Sequence, residues 1–126
     1  FFDLVKLLFN MKNKWTLDDW LNWQEMLMEE TIVMGLDRVG IVYNRLFPNG
    51  VPYKVITVAG TNGKGSTVSF IDSIYRESKY NIGRSTSPHL LKYNERFAID
   101  GQDVSDKLII KAFELIEAKR ENVTLT

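Results

Sequence analysis

The run Val55-Ile56-Thr57-Val58-Ala59-Gly60-Thr61-Asn62-Gly63-Lys64-Gly65-Ser66-Thr67 constrains this chain most. An apolar, β-branched stretch passes into a glycine-rich turn, and a helical pattern follows. A short, nearly continuous apolar run suits a strand buried on both faces of a parallel sheet. The order strand, glycine turn, helix suits the cradling of a polyphosphate. Glycines let backbone N–H groups approach phosphate oxygens closely. The new helix points its positive end at the anion. Lys64 can reach the terminal phosphates, and Ser66 or Thr67 can offer a hydroxyl to Mg²⁺.

The usual phosphate-loop pattern is G-x-x-x-x-G-K-[ST], and this chain departs from it twice. Gly60 stands three residues before Gly63 rather than five, and Gly65 separates Lys64 from the first hydroxyl. The physical elements therefore carry the argument. The alternative is a strand-to-helix connection that needs only flexible residues. A lysine at a helix start works against the macrodipole unless an anion sits there.

Around this centre the periodicity predicts an α/β chain. Thr16 caps a first helix, with Asp18 and Asp19 in its opening turn. Leu17, Trp20, Leu21, Trp23 or Gln24, Leu27 and Met28 recur at helical spacing. Asp37 to Leu46 reads as a second helix with Val39, Val42, Tyr43 and Leu46 on one face, stopped by Pro48-Asn49-Gly50 and Pro52. Lys54 to Ala59 is the strand. Lys64 to Ser78 is the third helix, with Val68, Ile71, Ile74 and Tyr75 inward. Asn81 to Ser85 is the next strand, completing a right-handed βαβ unit. Phe97-Ala98-Ile99 before Asp100-Gly101 reads as a strand and a tight turn. The last helix starts at Val104-Ser105-Asp106 with Ser105 as its cap. It buries Leu108, Ile109, Ala112, Phe113, Leu115 and Ile116 and leaves Lys111, Glu114, Glu117, Lys119, Arg120 and Glu121 solvated. The fold class expected is a P-loop-type parallel sheet with flanking helices.

Composition narrows the function. Among 126 residues, 16 basic and 16 acidic side chains cancel, so nothing suggests nucleic acid. Cysteine is absent, which removes disulfides and thiolate metal ligands and suits a cytoplasmic enzyme. No apolar run is long enough to span a bilayer. Residues 1–14 read as an extension. Either Met11 is the natural start and residues 1–10 are upstream translation, or the extension is real. Val123-Thr124-Leu125-Thr126 reads as the opening of a strand, and the chain as an N-terminal fragment.

Three segments carry a resemblance. Gly60-Thr61-Asn62-Gly63-Lys64-Gly65-Ser66 resembles the loop of the folylpolyglutamate synthase and dihydrofolate synthase family, relatives of the Mur ligases. Thr86-Ser87-Pro88-His89-Leu90, followed by Tyr93-Asn94-Glu95-Arg96, is typical of the folate ligases. Met34-Gly35-Leu36-Asp37-Arg38-Val39 resembles their stretch ahead of the loop. The resemblance runs from about Trp15 to Thr126. It implies that residues 15–126 are the N-terminal part of a Mur-ligase-like central ATP-binding domain, the rest of which, with a C-terminal domain, is absent.

The resemblance also implies an activity. A carboxylate of dihydropteroate or of a folate attacks the γ-phosphate of ATP, and the amine of L-glutamate then displaces phosphate. ATP and Mg²⁺ are the implied cofactors, and the partners are small molecules, with no membrane and a monomeric enzyme. Gly60, Thr61, Asn62, Gly63, Lys64, Gly65, Ser66 and Thr67 would bind ATP, with Lys64 catalytic. Ser87 and Ser66 would hold the metal. Ile32, Val33, Met34, Pro88, His89, Leu90, Asn94 and Arg96 would contact the acid substrate, His89 by positioning rather than proton transfer. Glu95 would fix the loop or pair with Arg96 at the surface. Two other readings stand beside this one, a nucleotide-binding module inactive alone and a Mur-type ligase. The Ser87-Pro88-His89-Leu90 segment argues against the second.

Overall fold

The computed structural model describes residue 12, residues 14–27 and residues 35–125. Expectations for the start at Met11, for the extension before it and for Ile32, Val33 and Met34 fall outside these residues. The chain divides into two compact units, residues 1–52 with 106–126, and residues 53–105.

Among the described residues the first unit contains the helices α1 (Leu17–Met26), α2 (Asp37–Leu46) and α4 (Asp106–Arg120). Helix α1 starts where the sequence predicts. The Thr16 hydroxyl accepts from the Asp19 N–H at 3.2 Å, and the Asp19 carboxylate accepts from the Thr16 N–H at 2.8 Å. This reciprocal pair satisfies two N–H groups that the first turn cannot. Helices α1 and α2 both pack on α4. Leu17, Trp20, Val42 and Ile109 are buried, and Trp20 is only 1% exposed. Its ring meets Trp15 edge-on at 5.2 Å, Trp23 at 5.6 Å and Phe113 at 5.9 Å.

Charge closes this core. Lys12 Nζ donates to Glu117 Oε1 at 2.8 Å and lies 3.5 Å from the Trp23 ring centre. Arg120 Nη2 donates to the same oxygen at 3.0 Å, and its Nε donates to Glu117 Oε2. Burial alone would raise the Glu117 carboxyl, but hydrogen bonds from Arg120 and Lys12 outweigh it and hold the group below its ordinary value. Glu117 and Arg120 were expected on a solvated face. They are instead mostly buried, because a cation–π stack on Trp23 and a shared carboxylate replace lost hydration. Arg45 Nη1 donates to the Lys119 and Arg120 carbonyls at 3.0 Å each, covering acceptors that a helix end leaves open.

The second unit carries α3 (Lys64–Glu77), β1 (Gly83–Ser85), a 3-10 turn (Tyr93–Arg96), β2 (Phe97–Ile99) and β3 (Gln102–Asp103). The sheet order is β1-β2-β3, and both pairings are antiparallel. Gly83 pairs with Ile99 and Ser85 with Phe97. The Asp100-Gly101 turn has φ values of 50° and 83°, the left-handed pair that suits a tight hairpin. Asp100 also accepts from the Ile82 N–H through Oδ1 at 2.9 Å, tying the hairpin to the entry of β1.

Two expectations about packing need correction. Residues 54–59 are not in a sheet, and the pairing between them and 81–85 that a βαβ unit requires does not form among the described residues. Strand β1 takes β2 as its antiparallel neighbour instead, with Asp100 N donating to the Ile82 carbonyl at 2.9 Å at the end of the ladder. Val55 is 67% exposed and Ile56 is exposed too, while Val58 is partly covered. The inward faces are also narrower than periodicity predicts. Ile74, Leu108 and Leu115 are exposed, as are Val39 and Tyr43. Ala98 and Asp72 are the buried side chains of the second unit among the described residues.

Candidate functional site

Two segments of the second unit carry the candidate residues. The first is the glycine loop. Gly60 (φ 154°) and Gly63 (φ 74°) hold backbone conformations that L side chains rarely adopt. Gly63 is the N-cap of α3, and no side chain caps that helix. The first turn of α3 also lacks an acidic residue. The helix start therefore presents N–H groups and a positive dipole end with no side-chain acceptor. Lys64 is the first helical residue, and its ammonium folds back on the loop. It donates to the Gly60 carbonyl at 2.6 Å and to that of Thr61 at 3.4 Å.

The two hydroxyls behave differently. Thr67 Oγ1 donates to the Gly63 carbonyl at 3.0 Å, so that hydroxyl is engaged within the helix start. Ser66 is exposed, like every residue from Gly60 to Thr67.

The second segment follows β1. Thr86 N donates to Arg96 O at 2.8 Å, which extends the β1–β2 ladder by one bond. Ser87 and Pro88, joined by a cis peptide bond, are exposed. His89 is half-buried. Its Nδ1 accepts from Arg96 Nε at 2.9 Å. The Arg96 guanidinium also lies 5.2 Å from the Tyr93 ring centre. Asn94 Nδ2 donates to the Val104 carbonyl at 2.8 Å. Arg96 and Asn94 were expected to touch substrate, and each has an intramolecular partner here.

Glu95 does more than sequence reasoning foresaw. Its Oε2 accepts from Leu90 N at 2.8 Å, and its Oε1 accepts from Leu91 N at 3.0 Å and Lys92 N at 2.8 Å. The Leu90 and Lys92 N–H groups hold the Glu95 carboxyl below its ordinary value against the opposing effect of burial, with the Leu91 N–H adding in the same direction. The signal in the sequence was a carboxylate three to five residues after a stretch with no turn chemistry of its own.

The topology orients the two segments. Helix α3, at 14 residues, is about 21 Å long. The chain reverses at Lys79 (φ 63°) and returns as β1. The Arg76 guanidinium lies 2.9 Å from where a Cβ on Gly101 would stand, so the C-terminal end of α3 adjoins the β2–β3 turn. Residues 86–90 leave the opposite end of β1. In the first unit, a hollow of about 290 Å³ is lined by Gly35, Arg38, Val39 and Leu125. None of the expected site residues among those described lines it.

No family model matches the chain. The dihydrofolate synthase/folylpolyglutamate synthase of Escherichia coli strain K12 is 40% identical over 110 residues, covering 87% of this chain and 26% of its own length. The structure of E. coli FolC in complex with DHPP and ADP superposes with a TM-score of 0.83 at 39% identity, over 90% of this chain and 27% of that one. The bifunctional enzyme from Yersinia pestis, complexed with AMPPNP and Mn ion, gives 0.83 at 40% identity, over 90% of this chain and 28% of that one.

The chain belongs to the folylpolyglutamate synthase/dihydrofolate synthase family. It spans about a quarter of the length of the curated family members it matches. The α/β fold is that of these ligases, and the resemblance read from the three sequence segments is correct at the family level. No helix among the described residues is long and apolar enough to cross a membrane.

Proposed function

We propose that this chain supplies the phosphate-gripping part of an ATP-dependent amide ligase that adds L-glutamate to dihydropteroate, to the γ-carboxyl of folates, or to both. The observation that carries this reading is the start of α3. A left-handed glycine caps it, a lysine opens it, no carboxylate opposes an anion there, and the chain around it is 40% identical to a ligase of that activity.

The chemistry asks for charge neutralisation. The acid's carboxylate attacks the γ-phosphorus of ATP, ADP leaves, and an acyl phosphate forms. The glutamate amine then attacks the acyl carbon, phosphate leaves, and an amide remains. Carboxylate and triphosphate repel each other, so fixed positive charge at the transferring group lowers the barrier. Lys64 exchanges its two loop carbonyls for phosphate oxygens, and loop N–H groups from Gly60 to Ser66 hold the β- and γ-phosphates.

The residues present fit a magnesium ion in part. The described residues hold no cluster of three His, Asp or Glu that could bind one alone. Mg²⁺ needs few protein oxygens when phosphates and water supply the rest, and it would add Lewis-acid neutralisation of the phosphates. Ser66 and Ser87 are exposed hydroxyls suited to it. The return of β1 from the C-terminal end of α3 favours Ser87 lying toward the loop.

Residues 15–126 form the first part of a Mur-ligase-like ATP-binding domain in this reading. The run 54–59 becomes a strand of a parallel sheet whose other strands come from the remainder of a longer enzyme. The exposed Val55, Ile56, Phe70 and Ile74 support that completion. The whole enzyme acts as a cytoplasmic monomer on small molecules. Ile32, Val33, Met34, Pro88, His89, Leu90, Asn94 and Arg96 serve the acid substrate, the last three by shaping the loop. The test is release of ADP by the ligase carrying this segment, with dihydropteroate or a folate and with or without L-glutamate. Glutamate-dependent ADP release with amide formation is expected. Nucleotide binding with no glutamate incorporation from either acid would overturn the reading.

A further inference from the structure

The segment 89–92 makes almost no structure of its own. Leu90 and Leu91 are 89% and 90% exposed, and neither belongs to a strand or helix. Water usually satisfies N–H groups in such a stretch. Here three consecutive N–H groups, of Leu90, Leu91 and Lys92, converge on the single carboxylate of Glu95. The flanking residues of the 3-10 turn add two ties. Arg96 holds the His89 ring, and Asn94 holds the Val104 carbonyl behind the turn. The turn is fixed to the sheet by Thr86 N to Arg96 O and by Val104 N to Phe97 O at 3.0 Å. The carboxylate therefore stands on a braced base and sets the path of the loop in front of it.

We propose that Glu95 is a positioning residue of this enzyme: its carboxylate gathers the N–H groups of Leu90, Leu91 and Lys92 and so fixes the loop that presents Ser87, Pro88 and His89 to the acid substrate. The claim rests on the ligase reading only for its kinetic consequence. Both oxygens are used, so charge and shape are both required. An amide at this position keeps one acceptor and turns an NH₂ group toward the other set of N–H groups. Charge-assisted bonds to backbone N–H groups are about twice as strong as neutral ones.

Two measurements test it on Glu95→Gln. Amide exchange on the 126-residue chain reads the loop directly. Exchange at one or more of Leu90, Leu91 and Lys92 is expected to quicken about tenfold, while the amides of α3 and β2 keep their rates. Steady-state kinetics on the ligase carrying this segment reads the consequence. The KM for the acid substrate is expected to rise about tenfold, with the KM for ATP within about twofold. Glu95→Asp, which keeps the charge but withdraws it by one methylene, tests the same contacts should Glu95→Gln fail to fold. Unchanged exchange at all three residues, or equal rises in both KM values, would overturn the proposal. A parent enzyme that incorporates no glutamate would sink the ligase reading, while the exchange pattern would still decide for or against the staple.

Discussion

Replacing Lys64 by alanine separates a residue that holds a loop from one that holds an anion. The ammonium donates to Gly60 O at 2.6 Å and Thr61 O at 3.4 Å, in an exposed setting. Losing those contacts costs about 1 kcal/mol at most, given solvent competition. A cation in the first turn opposes the helix dipole by about 0.3–1 kcal/mol, and its removal returns that amount. The two effects nearly cancel, so the melting temperature of the chain should move by less than about 3 °C. The transferring phosphoryl group is where the charge matters. Removing one preorganised cation from a phosphoryl-transfer site costs about 3–5 kcal/mol, on the order of 10²–10⁴ in rate. A coupled assay of ADP release under saturating dihydropteroate and glutamate measures it. Near-normal turnover would refute the loop assignment. A fall in melting temperature of more than about 10 °C would show that Lys64 is a structural strut.

Other expectations follow from the same geometry. Ser66→Ala and Ser87→Ala should each raise the Mg²⁺ concentration needed for half-maximal ADP release. A Mg²⁺ titration that moves for neither serine would remove both from the metal site. Glu117 is held below its ordinary value of 4.5 in the folded chain, so its contribution to stability is fully present above that pH. It is lost as pH falls from there through the lowered folded value. Glu117→Gln should therefore destabilise the chain by about 1–3 kcal/mol at neutral pH and flatten the acid limb of its stability curve. An unchanged acid limb in urea titrations would remove the pair from the account.

Helix bounds were legible wherever local chemistry set them. Asp37–Leu46 ends at the turn Pro48-Asn49-Gly50, Thr16 with Asp19 starts α1, and Asp100-Gly101 makes the hairpin. Each signal spans a few residues. What stayed hidden depends on distant partners. Glu117 reads as a solvated charge until Lys12, 105 positions away, meets it over Trp23. The run 54–59 has strand chemistry, but its period says nothing of which neighbour pairs with it. Periodicity also overstates burial, because it marks a face without saying whether anything covers it, as Ile74 and Leu115 show. In the glycine loop, residue types pointed to the chemistry, and the fold-back of Lys64 onto the Gly60 carbonyl was hidden. Glu95 needed three amide positions that no motif encodes.

The grouping of Trp15, Trp20 and Trp23 has a practical consequence for anyone who studies this chain in solution. These are its three tryptophans, and all lie in the first unit beside an ammonium. Intrinsic emission excited at the indole band is thus an optical gauge of the first unit alone. The half that carries the glycine loop is dark at that wavelength. A single tryptophan placed at the exposed Tyr53 or Tyr80 would give that half a signal of its own.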